Sequence, residues 1–253
     1  MSRIAQSFQH CKSQNRAAFI PFMTAGDPDF ATSLELLRGL PEAGADIIEI
    51  GMPFSDPVAD GPVIQRASRR ALTNNPGISA ILKLVRDFRA HDNTTPIVLM
   101  GYFNPVFVYG PQALARDAAI AGVDGILIVD LPPEESGELQ PHLKAHNIDM
   151  IRMVTPTTDA DRLPAILSGS GGFLYCVAVA GVTGTASAQA DSLESRIAAI
   201  RQNSDLPVAI GFGISNANDV RAMSAIAEGV VVGSALVGEM ERDTPHEARE
   251  AYI

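Results

Sequence analysis

A chain of 253 residues with a formal net charge of −10, 46% hydrophobic and 19% charged, has the composition of a folded globular protein and not of a disordered one. The acidic balance argues against nucleic-acid or anionic-membrane surfaces, which need clustered Lys and Arg, so any anionic ligand must be held locally. Cys11 and Cys176 are too few for a disulfide framework or a zinc site, which makes a reducing, cytoplasmic setting the expectation.

The opening stretch MSRIAQSFQHCKSQNR lacks the apolar run of a signal peptide and reads as an extra N-terminal helix. No segment approaches the roughly 18 apolar residues of a membrane span. The first expected strand, Ala18 to Met23, is followed by a helical pattern, DFATSLELLRGLPEAG. The second, Ile47 to Gly51, places an acid, Glu49, between Ile48 and Ile50. Behind it runs a loop carrying Asp56 and Asp60, in which Pro53, Pro57 and Pro62, with Gly51 and Gly61, fix the backbone repeatedly. Two helical patterns, PVIQRASRRALTN and ISAILKLVRDFRAH, then lead to a third strand, Ile97 to Met100. Strand starts are mostly roughly 20 to 35 residues apart, the size of a plain βα unit. The step from Ile47 to Ile97 is 50 residues, so something is inserted after strand two.

Five more strands are expected at Gly125 to Val129, Met150 to Val154, Phe173 to Val177, Pro207 to Gly211 and Gly229 to Val232. They alternate with the patterns QALARDAAIAG, EESGELQPHLKAHN, DADRLPAILSGS, SLESRIAAIRQN and NANDVRAMSAIAEG, several of which start at Asp, Ser or Asn and end near Gly or Asn. After strand six, AGVTGTASAQADS reads as a second extended loop, either a lid or a plain surface connector. Strands apolar on both faces, each followed by a helix, imply a parallel sheet, and eight of them imply closure. The expectation is one α/β domain over residues 1–253: a (β/α)8 TIM barrel with an extra N-terminal helix and long loops after strands two and six. An open doubly wound sheet is the rival.

In such a barrel both long loops emerge at the carboxyl ends of the strands, where barrel enzymes place their chemistry. Glu49 alternates with its apolar neighbours and can point into the mouth. Burial there would disfavour its carboxylate and raise its pKa, as suits a general acid or base near neutrality; a salt-bridged structural role is the other reading. Asp60 could act in catalysis or simply start a turn, and Asp56 has the look of a loop anchor. Tyr175, on strand six, either fills the core or offers a hydroxyl. His10, His91, His142, His146 and His246 all fall in helical or loop stretches, which removes a Ser-His-Asp arrangement; no ligand spacing for a metal and no strand lysine for a Schiff base is present. Two glycine-rich turns close the series: GFGIS after strand seven, Gly211 to Ser215, and VGSAL after strand eight, with Gly233 and Ser234 opening a helix. Bare amides and a helix N-terminus in these last two units can hold a phosphate without any lysine.

Seven segments, FIPFMTAGDPD, DIIEIGMPFSDPVADGPVIQRAS, MGYFNPVFVYG, GVDGILIVDLPPEES, AGVTG, GFGIS and VGSAL, spread from Phe19 to Leu236, resemble the α subunit family of tryptophan synthase. That resemblance implies a metal-free, cofactor-free retro-aldol lyase cleaving indole-3-glycerol phosphate to indole and glyceraldehyde 3-phosphate. It implies that Glu49 protonates indole C3 and helps move the hydroxyl proton, that Asp60 binds the indole N–H, and that Tyr175 lines the site. Phe22, Met100, Leu127 and Phe212 would sandwich the indole, Thr183 would close over Asp60, and Gly184, Gly213, Gly233 and Ser234, with Gly211 in the same turn, would serve the substrate phosphate. It also implies a pyridoxal-phosphate β subunit as partner in an α2β2 tetramer, with Pro53, Asp56, Asn104, Phe107 and Pro132 at the interface or in its signalling loops. Ala178 and Val179 stand where many members carry Ser and Arg, a departure that bears on the anchoring of the AGVTG loop. A stand-alone lyase and a catalytically weak regulatory subunit are the alternatives to the usual enzyme.

Overall fold

Eight parallel strands close on themselves in sequence order, the first pairing with the last. The computed structural model describes residues 1–74, 77–155, 157–159, 161–178, 186–211, 213–214 and 216–241, with 186–192 described in backbone only. The strands are β1 (Ala18–Thr24), β2 (Ile48–Gly51), β3 (Ile97–Gly101), β4 (Gly125–Ile128), β5 (Asp149–Val154), β6 (Leu174–Val177), β7 (Val208–Gly211) and β8 (Gly229–Val232). Around them run α1 (Arg3–Ser13), α2 (Phe30–Gly39), α3 (Pro62–Leu72), α4 (Ile78–Arg89), α5 (Phe103–Tyr109), α6 (Pro111–Ala121), α7 (Gln140–Ala145), α8 (Leu163–Leu167), α9 (Ala186–Arg201), α10 (Ala217–Ser224) and α11 (Ser234–Glu239), with a 3-10 turn at Pro133–Glu138. The expected closed barrel is therefore the observed one, and the open sheet is excluded by the β1–β8 pairing.

Alternation along each strand sorts the core into two layers. Ile48 and Ile50 of β2 face outward into a cluster with Leu37 of α2 and Leu82 and Val85 of α4. Residues two apart on the other face, such as Ile20 and Phe22 or Val98 and Met100, and the cross-strand neighbours Leu127 and Ile151, fill the barrel itself. The N-terminal helix is present and has a packing role: Ile4, Phe8 and Cys11 are buried at helical spacing. Ile4 abuts Gly125 and Gly172, and Phe8 abuts Gly229 and the Phe173 ring, so α1 plugs the end of the barrel where the strands begin. Chemistry is thereby confined to the opposite, open end.

Several boundaries differ from the sequence expectation. α5 lies in a stretch to which the sequence reading assigned no element; Pro105 falls in the first turn of the helix, where its missing N–H costs nothing. The pattern EESGELQPHLKAHN breaks at Pro141, giving a 3-10 turn and the short α7. Helix α9 begins at Ala186, so the small-residue run expected as loop after strand six is helical from that point on. Ala178 donates its N–H to the Gly211 carbonyl, whereas Val179 lies outside the described residues.

Candidate active site

Glu49 is 1% exposed and its flanking isoleucines fix its direction, since both are wholly buried on the helix-facing side. Neither carboxyl oxygen has a hydrogen-bond partner among the described residues. An ionised carboxylate without a partner is very costly in such a place, and the group responds by keeping its proton. Burial, and then the negative charge of Asp60, push its pKa up to about 8.

Asp60 arrives from the other direction, at the end of the loop after β2 and just ahead of Gly61, the N-cap of α3. Its Oδ2 accepts from the Tyr102 hydroxyl at 3.1 Å, and its backbone carbonyl accepts from the Gln65 side chain at 2.9 Å. Burial raises its pKa and the Tyr102 donor lowers it. Of the two acids, then, only Asp60 is given a hydrogen bond that favours the anion. Tyr175 is 3% exposed on β6, and burial together with the charges of Glu49 and Asp60 holds its phenol well above the ordinary range. All three groups are thus near one another at the carboxyl end of the barrel, although they come from distant parts of the chain.

Glycines make the room. A Cβ at Gly211 would overlap the Tyr175 hydroxyl, and one at Gly51 would overlap the Phe22 ring. Gly233, which caps α11 ahead of Ser234, lies in van der Waals range of Phe22, and Gly213 has a φ of 76°, a left-handed backbone that suits glycine. One glycine from each of the two turns, Gly211 and Gly233, therefore sits beside a side chain of this end of the barrel, Tyr175 and Phe22 respectively. A small open space is bordered by Phe22, Asp60, Ile64, Met100, Tyr102 and Val129, among others. Glu49, Tyr175 and Leu127 do not border it: they are buried in the barrel interior, and Val129, two residues beyond Leu127, lines the space in its place. Thr183, Gly184 and Phe212 lie outside the described residues.

The expected interface residues divide. Asp56 and Asn104 are exposed, Phe107 is 60% exposed and Pro132 partly so. Pro53 is buried, because the loop turns inward directly after β2 before rising to its exposed tip. Val58 and Val108, which the sequence reading passed over, are 86% and 79% exposed. Tyr102 was also missed as a site residue; it sat inside MGYFNPVFVYG, but its partner lies in the preceding βα unit, and the pairing of β2 with β3 brings them together. Among the described residues no group of His, Cys, Asp and Glu is placed to hold a metal ion, and no helix is long and apolar enough to cross a membrane.

The raised Glu49 pKa makes stability depend on pH. The folded protein binds this proton more tightly than the unfolded chain, whose glutamate titrates near 4.5, so the contribution is complete below that value and is lost as pH rises towards about 8. Glu49→Gln removes that loss. The stability difference between variant and wild type, measured by urea unfolding, should grow in favour of the variant between pH 5 and pH 8.5, by on the order of a few kcal/mol. A difference that stays constant with pH would mean that Glu49 titrates normally.

A carboxyl group that holds its proton, beside a second acid that accepts a hydrogen bond, forms an acid with a partner for developing positive charge. The sequence profile described as tryptophan synthase alpha chain matches residues 8–252. The fold aligns with tryptophan synthase subunit alpha from Legionella pneumophila str. Paris at 35% identity and a TM-score of 0.89, covering 100% of this chain and 98% of that one. It aligns with a chain of tryptophan synthase from M. tuberculosis, in an aminoacrylate-bound form, at 33% identity and a TM-score of 0.88, covering 99% and 96%. A structure from Aquifex aeolicus VF5 matches at 34% identity and a TM-score of 0.89, covering 100% and 95%. A profile match over nearly the whole length, on a barrel whose mouth holds paired carboxyl groups, leads to one conclusion: this chain belongs to the tryptophan synthase alpha chain family.

Proposed function

We propose that the open end of the barrel carries out the α reaction through Glu49 as proton donor and Asp60 as the fixed anion. The chain is a carbon–carbon lyase of tryptophan biosynthesis, cleaving indole-3-glycerol phosphate to indole and glyceraldehyde 3-phosphate. The bond to be broken joins indole C3 to the glycerol chain, and it breaks readily only once C3 has been protonated. In our reading the Glu49 carboxyl gives its proton to C3, and the positive charge that spreads to the ring nitrogen is met by the Asp60 carboxylate. The glycerol hydroxyl next to the breaking bond then loses its proton to the Glu49 carboxylate. Its electrons form the aldehyde, the C–C bond pair returns to the ring, and Glu49 ends protonated as it began. Asp60 matters more in the transition state than in the ground state, since the charge it faces exists only there.

The observation that carries this is Glu49 itself: a carboxyl group buried without a hydrogen-bond partner among the described residues, with a pKa near 8, next to a second acid that does have a donor. Tyr175 shapes the pocket; Phe22, Met100, Leu127 and Phe212 hold the indole, and Thr183 closes over Asp60. The amides of Gly184, Gly213, Gly233 and Ser234, with Gly211, receive the phosphate, a role that the closeness of Gly233 to Phe22 supports. No metal or organic cofactor acts in this chain; pyridoxal phosphate belongs to the β partner. The family implies that partner, and the finer features we propose are an α2β2 assembly, a single domain over residues 1–253, and a cytoplasmic setting. Asp56, Asn104, Phe107 and Pro132, together with exposed Val58 and Val108, supply the docking surface. An indole-release assay with and without β subunit tests the whole reading. Release that rises on titration with β is the expected result; a flat response would point to a stand-alone lyase, and no release under either condition to a regulatory subunit.

A further inference from the structure

The loop that delivers Asp60 is exposed from Ser55 to Asp56 and again at Val58 and Ala59, yet its last residue must hold a carboxylate at a fixed depth. One side chain from a neighbouring βα unit spans that problem. Tyr102 follows β3 as the N-cap of α5, is 3% exposed, and stacks its ring on Phe54 with centroids 5.3 Å apart. Its hydroxyl accepts the Ala59 N–H at 3.0 Å and lies 3.1 Å from Asp60 Oδ2. A backbone amide can only donate, so the hydroxyl's own proton is free for the carboxylate, and an ionised carboxylate can only accept. The direction of both hydrogen bonds is thus set by chemistry.

We propose that Tyr102 is a positioning residue for the α reaction: through one hydroxyl it pins the backbone at Ala59 and donates to Asp60, holding that carboxylate in place as an anion. The inference rests on the reading of Asp60 as the partner of the indole nitrogen. A donor to an ionised acceptor is stronger than one to a neutral acid, so Tyr102 favours the charged form of Asp60 specifically. The other ionisable groups in this field are Glu49 on β2 and Tyr175 on β6, with Asp130, beyond β4, acting on Tyr102. Glu49 finds no such donor among the described residues, and this asymmetry separates the two acids.

The test compares wild type with Tyr102→Phe in two measurements. In the pH profile of kcat/KM for indole-3-glycerol phosphate, the acid limb should move to higher pH in the variant, with a loss of roughly 10- to 100-fold at pH 6 that narrows as pH rises. In a carbon-13 titration of the aspartate carboxyl groups, the Asp60 signal, assigned with Asp60→Asn, should titrate at higher pH in the variant. A profile that drops uniformly, with an unmoved Asp60 titration, would overturn the proposal and leave Tyr102 a packing residue. If Asp60→Asn keeps full turnover, the role of Asp60 in the reaction fails, while the titration still reports on Tyr102 and Asp60 alone. Should Tyr102→Phe fail to fold, 3-fluorotyrosine at position 102, a stronger donor of nearly equal size, should move the Asp60 titration to lower pH; no movement would count against the proposal.

Discussion

Glu49→Gln is expected to lower kcat for indole release by about 10²- to 10⁴-fold, the range for loss of a general acid, with KM little changed. Glutamine keeps the size of the side chain and cannot give up a proton to C3. Because Glu49 is buried and its oxygens have no partners among the described residues, the substitution breaks no hydrogen bond described there. A loss in kcat would therefore reflect chemistry and not collapse of the mouth. The same variant should be more stable than wild type above pH 8, since it removes a carboxylate that the fold accommodates badly. Loss of turnover with gain of stability is the signature of a residue kept for its reaction. Steady-state kinetics at saturating indole-3-glycerol phosphate, beside urea unfolding, measures both; near-normal kcat would remove Glu49 from the mechanism.

Asp60→Asn should cost roughly 10²- to 10³-fold in kcat, the scale seen when one preorganised electrostatic group is removed from a transition state. The amide retains the shape and can still accept from Tyr102 through its oxygen, so the loop should stay in place. What disappears is the negative charge that meets the ring nitrogen. A second effect separates this from mere disturbance. The Asp60 charge helps to raise the Glu49 pKa, so in Asp60→Asn the base limb of the pH profile should move to lower pH. Turnover that falls without any movement of that limb would mean that the two acids do not sense each other, against the geometry described above.

Much of the barrel could be read from the chain, because parallel strands buried on both faces are near-continuous apolar runs and their spacing follows the βα unit. The side of β2 on which Glu49 lies was legible for a simple reason: period-two alternation with Ile48 and Ile50 leaves it one direction. The glycine turns were legible as turns, and their nearness to the mouth follows from their position at the ends of β7 and β8. What escaped were features decided across the barrel. Tyr102 holds Asp60 only because β2 and β3 are neighbours, and nothing local in MGYFNPVFVYG announces that hydrogen bond. Pro53, which the resemblance assigns to the interface or its signalling loops, is buried because the first residues of that loop continue the wall of the barrel. Leu127 and Val129 point the same way on β4 and its extension, and only depth along the axis separates the interior residue from the one that borders the open space. Helix α5 escaped as well: the cost of Pro105 depends on its position within the turn, a detail that the residue alone does not disclose.

Everything proposed for the mouth depends on Glu49 holding a proton at neutral pH. Carbon-13 titration of the glutamate side-chain carboxyl groups, with Glu49→Gln to assign the signal, reads that proton without reference to turnover. One glutamate should titrate near 8 and be missing from the Glu49→Gln spectrum. A Glu49 signal that titrates in the ordinary carboxylate range, near 4.5, would mean that the group is ionised when substrate arrives and cannot be the acid that opens the bond.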